Sequence, residues 1–197
     1  MLRSSMIAVG LLAMAWLLEA QDLATYKREY LGELAYASRN VIALAKAMPA
    51  EKYGWRPGDG VRSVSEVYMH IVTANFELLD IIGQKLPEDL YGKLELTGRA
   101  RLMAIQKRSA ELEKTVTDKD RVAALVERSL IAVRDAMDKA GPADLDKRVD
   151  FFGRDVTARA VYLRILVHVH EHMGQAIAYA RVNGIVPPWS HPAAKAQ

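Results

Sequence analysis

Cysteine is absent from all 197 residues. That excludes disulfide staples, a thiolate nucleophile and any cysteine metal ligand, so a metal would have to be held by histidine, carboxylate or carbonyl oxygen. It also excludes a thioether-linked lipid anchor at a leader junction. Charge of one sign is never concentrated: the formal +3 is spread along the chain, basic residues interleaved with acidic ones. A nucleic-acid binder gathers Lys and Arg on one face or arm, so no nucleic-acid partner is expected. Sustained alternation of apolar and polar residues is missing as well, which argues against sheet. Histidine is scarce, with five in the chain.

What the chain does have is apolar content: 51% hydrophobic against 26% charged. At this length that suffices for one domain with a full core. The N-terminus stands apart. Arg3 precedes an unbroken apolar run from Met6 to Leu18, shorter than the roughly 20 residues a membrane helix needs. The run fits the apolar region of a secretory signal, with cleavage near Ala20. The expected organisation is a signal peptide over 1–20, a folded domain over 21–190 and a flexible tail over 191–197. The mature protein is expected to be exported, periplasmic or extracellular, without a stable membrane anchor; the alternative is that the segment is retained as one.

Helical periodicity dominates the remainder. Tyr26, Tyr30, Leu34, Ala37, Val41, Leu44 and Met48 mark a helix over 22–48 stopped by Pro49. Ser63 and Glu66 form a capping box that opens a second helix reaching about Lys85. Residues 88–97 read as a connection, and 98–116 as a shorter, highly charged helix. Another helix begins near Thr117 and ends at Gly141-Pro142. After a loop around Phe151-Phe152-Gly153, the last helix runs from about Val156 to Asn183, with Gly184 and Pro187-Pro188 ending it. Long helices with one apolar stripe bury those stripes on each other. The expected fold is therefore all-α, a four-helix bundle, with room for an extra helix between the second and third main helices.

Three of the histidines fall within Leu166-Val167-His168-Val169-His170-Glu171-His172-Met173-Gly174-Gln175. His168 and His172 are four apart, so on a helix they share a face about 6 Å apart along the axis. They share that sector with Val161, Ile165 and Tyr179, while His170 points away. On the second helix His70 lies in one sector with Val67, Ala74, Glu77 and Ile81. Glu77 and Glu171 are near enough in projection to support the histidines. Spacing alone leaves two readings open: a metal site, or hydrogen-bonded core histidines.

The order Trp55-Arg56-Pro57, Ser63-Val64-Ser65-Glu66-Val67-Tyr68-Met69-His70, His168-Val169-His170-Glu171-His172-Met173-Gly174-Gln175 and Gly184-Ile185-Val186-Pro187-Pro188-Trp189 resembles the DinB/YfiT-like superfamily of metalloenzymes. The likeness spans about residues 22–189. It implies a four-helix bundle holding a divalent metal, Zn, Ni or similar, on His70, His168 and His172, with a position left for water or substrate. No further cofactor and no catalytic base is indicated. Some members are similar to thiol-dependent transferases or isomerases, but an export signal argues against a cytosolic thiol. The expected function is thus an exported metal-dependent enzyme, hydrolase-like or transferase-like, acting on a small molecule. The alternative is an exported helical binding protein whose metal site is structural or vestigial. The apolar surface of such a bundle leaves room for a homodimer.

Overall fold

The computed structural model describes the backbone of residues 2–190 and the side chains of residues 22–190. Helix α1 spans Leu2–Ala47, so the helix read from 22 onward is continuous with the apolar N-terminal run. The signal-peptide reading of 1–20 lies outside the residues whose side chains are described, as does the tail. After a 3-10 turn at Ala50–Lys52, α2 spans Val64–Ile81 and a short α3 spans Glu88–Tyr91. Helices α4 (Gly98–Thr115), α5 (Lys119–Lys139) and α6 (Pro142–Asp146) follow. Strands β1 (Arg148–Phe151) and β2 (Arg154–Thr157) lead into α7, Ala158–Val182.

Four helices make the bundle. α2 packs on α5 and α7, and α1 packs on the same two, so α1 and α2 lie diagonally across the core. The additional helix expected between the second and third main helices is α4, which packs against α2 from outside this ring. Ala37, Val41, Leu44, Met48, Val67, Ile71, Val126, Val133 and Ile165 are at most 1% exposed. Each large apolar side chain so buried contributes about 1.5–3 kcal/mol.

Local chemistry sets the helix ends. At the start of α2 the Ser63 amide donates to Glu66 Oε2 (2.6 Å) and the Glu66 amide to Ser63 Oγ (3.3 Å), the capping box read from sequence. α2 stops at Ile81 rather than near Lys85, because Gly83 takes φ +96 and turns the chain. At the far end of α7, Gly184 adopts φ +76. The amides of Gly184 and Ile185 then donate to the carbonyls of Arg181 (3.0 Å) and Ala180 (2.8 Å). This Schellman arrangement satisfies carbonyls the helix would otherwise leave bare.

One expectation is corrected. The loop around Phe151-Phe152-Gly153 is the turn of a β-hairpin, and its second strand occupies Val156 and Thr157, so α7 begins at Ala158. Phe152 (φ +52) and Gly153 (φ +83) both lie in the left-handed region, as a two-residue hairpin turn requires. Asp150 Oδ1 accepts from the Gly153 amide at 2.6 Å. Four-residue strands are too short to display a period of two, which is why the pattern was silent.

Ser63 holds the first turn of the helix that carries His70. Ser63→Ala should lower unfolding free energy by about 0.5–2 kcal/mol in a denaturant titration. An unchanged midpoint would show that the cap contributes nothing.

Candidate metal centre

α2 and α7 bring His70, His168 and His172 together, one ring nitrogen of each lying within 4.8 Å of the others. The ring centroids of the three pairs are 4.5–4.9 Å apart. His168 Nε2 faces His70 Nε2 at 3.2 Å. His168 is only 7% exposed, whereas the His70 side chain is 23% exposed. The cluster therefore sits at the α2–α7 seam and opens to solvent, not in the middle of the bundle. On α2, His70, Ala74, Glu77 and Ile81 do share a sector, but it is the half-buried one beside α4; Val67 and Ile71 carry the core.

Hydrogen bonding fixes two of the rings. His70 Nδ1 lies 2.7 Å from Glu113 Oε1. Glu113 Oε2 accepts from Arg62 Nε at 3.0 Å, and the Thr73 hydroxyl is 3.2 Å from Oε1. Burial pushes the Glu113 carboxyl up, but the His70 hydrogen bond and the Arg62 guanidinium outweigh it and hold the group below its ordinary range. A carboxylate can only accept, so His70 carries a proton on Nδ1, and in its neutral form the ring presents its lone pair at Nε2.

A second chain ends on a backbone carbonyl. Tyr179 OH donates to the Arg62 carbonyl (3.1 Å) and so accepts from Gln175 Nε2 (3.0 Å). That places Gln175 Oε1 against His172 Nδ1 at 2.9 Å. His172 must then donate from Nδ1, leaving its Nε2 bare as well. Trp55 packs edge-on to Tyr179 at 5.3 Å, bracing this chain from the loop before α2.

His168 has no such partner: its Nδ1 is buried without a hydrogen bond. Its Nε2 either donates to His70 or opposes one lone pair with another. A cation shared by the ring nitrogens removes that conflict, and imidazoles with their distal N–H groups held by acceptors are the usual form of a histidine metal site. Burial, then the neighbouring His172 and His70, lower the pKa of His168 to about 3. Burial likewise lowers His172, against an opposing Gln175 hydrogen bond. Both rings are neutral at pH 7, the form that ligates metal. These residues fit a divalent ion.

The other sequence candidates lie elsewhere. Glu171 is gripped on the outer face of α7 by Arg164, at 3.0 and 2.8 Å. Glu77 is two turns along α2 from His70, where burial raises its pKa against a hydrogen bond from Ser109. His170 lies 3.1 Å from Glu33 and stacks near Tyr36, outside the cluster as its position in the helix predicted. Glu113 is the carboxylate that sequence reading missed. A signal existed: Ile105, Ser109 and Leu112 are the buried stripe of α4, and Glu113 adjoins it at the i+4 position from Ser109.

The family model described as the DinB superfamily matches residues 33–176. No curated protein matches the chain. Among solved structures, a DinB-like protein of Bacillus cereus is similar at 20% identity and TM-score 0.63, with 81% of this chain and 93% of that one covered. A DinB-like protein of Bacillus subtilis gives 20% identity and TM-score 0.58, covering 84% and 96%. The mycothiol-dependent maleylpyruvate isomerase gives 16% identity and TM-score 0.55, covering 75% of this chain and 59% of that one. At these identities the structures share the fold.

The pKa of His168 implies a pH dependence with a definite sign. An unfolded histidine titrates near 6.5 and folded His168 near 3. Between these values the unfolded chain binds more protons, so the stability of metal-free protein should fall as pH drops from about 6.5. His168→Asn should flatten this slope. Thermal unfolding between pH 7 and 4 checks it, and equal slopes in both proteins would contradict the assignment.

Proposed function

The chain belongs to the DinB superfamily, and from that premise we propose that it is an exported metal-dependent enzyme of hydrolase or transferase type. His70, His168 and His172 are its ligands for a divalent ion such as Zn²⁺ or Ni²⁺. One observation carries the reading: the Nδ1 atoms of His70 and His172 face acceptors on Glu113 and Gln175, which turns the other nitrogen of each ring to the place where the three rings converge. A divalent ion bound there supplies Lewis acidity toward a substrate oxygen or sulfur, or toward water.

The chain's own groups do the rest. Glu113 holds the His70 proton at Nδ1 and strengthens that ring as a donor. Gln175, aligned by Tyr179, does the same for His172 without adding charge. Arg62 serves both, through its guanidinium to Glu113 and its carbonyl to Tyr179. The net result is three imidazole donors beside one carboxylate. The half-exposed rings of His70 and His172 leave an approach for a small substrate. The apolar run from Met6 to Leu18 supports export, and an exported enzyme lies away from the cytosolic pools of thiol cofactor.

Elemental analysis of protein purified from its native compartment should find about one divalent ion per chain. His168→Ala should lose it, and Glu113→Gln should bind it about 10–100-fold more weakly. Stoichiometric metal retained by His168→Ala would remove that ligand. Full metal content without turnover across a broad substrate panel would replace the enzymatic reading with a binding one.

A further inference from the structure

Few charged groups act on the three rings. Glu113 and Arg62 stand beside His70 and His172, Arg164 and Glu171 beside His168, and Glu77 two turns along α2. Each acid in this set already has its partners. Glu113 meets His70 and Thr73 at Oε1 and Arg62 at Oε2. Glu171 accepts from Arg164 at both oxygens. Glu77 accepts from Ser109, and burial pushes its carboxyl toward the neutral form. The two ionised acids nearest the rings are thus each matched by one arginine.

The arginines around the centre are not equivalent. Arg164 commits both Nη1 and Nη2 to Glu171. Arg56, in the loop before α2, commits Nη1 to the Val61 carbonyl (3.0 Å) and Nη2 to Glu66 (3.2 Å). Arg62 bonds Glu113 through Nε alone, at 3.0 Å. Its Nη1 and Nη2 make no hydrogen bond with any described residue, and its side chain is 42% exposed. Those two nitrogens carry the parallel N–H bonds at the end of the guanidinium, a fork that two oxygens of one carboxylate match.

Arg62 is fixed at the opening of the centre from both of its ends. Its carbonyl accepts from Tyr179, which leads through Gln175 to His172. Its side chain shares Glu113 with His70. The loop behind it is tied down by Arg56 at the Val61 carbonyl. A donor pair held in place before a ligand arrives loses little freedom when it binds.

We infer that Arg62 selects the substrate of this centre: a small organic acid whose carboxylate docks end-on at Nη1 and Nη2 while its reacting group, a few bonds away, faces the histidines. This names a substrate class for the metal-centre reading and rests on it. Glu113 already offsets part of the guanidinium charge, so the fork suits a monoanionic carboxylate better than a dianionic phosphate. Arg62 therefore acts twice, through Nε on Glu113 and through its free end on the substrate.

Calorimetric titration of the Zn²⁺-loaded full chain tests this with the monohydroxamates of succinate, glutarate and adipate, each against its methyl ester. The metal-seeking group is the same in acid and ester, so their affinity ratio isolates the carboxylate. At the best spacer the acid should bind about tenfold or more tighter than the ester. That ratio should vanish in Arg62→Leu and be only partly kept in Arg62→Lys, which retains the charge but not the fork. Glu113→Gln loosens the same bonds without removing the fork, and should weaken acid and ester alike with the ratio kept. Acid and ester binding equally in the unaltered chain, or an acid preference retained by Arg62→Leu, would overturn the assignment. So would a phosphonate analogue that binds tighter than the carboxylate. A chain that takes up no Zn²⁺ and binds neither probe would sink the metal-centre reading and this one with it. Zn²⁺ and both probes bound without preference would sink this one alone.

Discussion

The carbonyl of Arg62 is a pure acceptor, and the polarity of one half of the centre follows from it. Tyr179 must donate to it, Gln175 must donate to Tyr179, and the Gln175 oxygen is then the atom that meets His172. The guanidinium of the same residue holds Glu113, which fixes the proton of His70. Both sets of bonds therefore start one residue before the N-cap of α2, in a segment fastened by the Trp55 carbonyl to the Val64 amide (2.9 Å) and by Arg56 to Glu66 (3.2 Å). The capping box and the histidine centre share this support. A hydrogen bond to a charged or buried partner contributes more than a surface one, so the order of this loop matters to the site more than its exposure suggests.

The placing of α4 explains why the centre sits where it does. The ring of α1, α5, α2 and α7 is complete without α4 and buries the main apolar stripes. α4 lies on the outside of α2 and brings Glu113 to His70. A carboxylate in the bundle interior would face a large desolvation cost. At the seam it keeps partial contact with water while Arg62 balances its charge. His168 occupies the other extreme: it is the buried member, held neutral by burial, and it is the ring with an unsatisfied nitrogen. Access and preorganisation are thus divided among the three rings.

Sequence spacing was enough to put His168 and His172 on one face and His170 on the opposite one, because helix geometry converts a separation of four into a shared face; His70 came from its sector on the second helix and from the family resemblance, and the structure brings the three together. The bundle and the additional helix were equally legible from apolar periodicity. Glu113 escaped because α4 is dense in charge, and one acid on its inner edge looks like any other until the neighbouring helix is placed. Gln175 and Tyr179 were visible as positions three and seven after His172, but their role depends on a loop carbonyl, which no side-chain pattern encodes. The hairpin before α7 was hidden by its brevity and by a phenylalanine in a conformation usually left to glycine. Apart from that local hairpin, what failed to show in sequence was tertiary: contacts between segments whose separation carries no period.

The central claim is that His70 and His172 are protonated on Nδ1 and bare on Nε2 before any ligand binds. Long-range ¹⁵N–¹H correlation spectra of metal-free, histidine-labelled protein at neutral pH read this directly. The account predicts the Nδ1–H tautomer for both residues, with their Nε2 resonances moving on addition of Zn²⁺. Protonated Nε2 on either ring, unchanged by the metal, would contradict it.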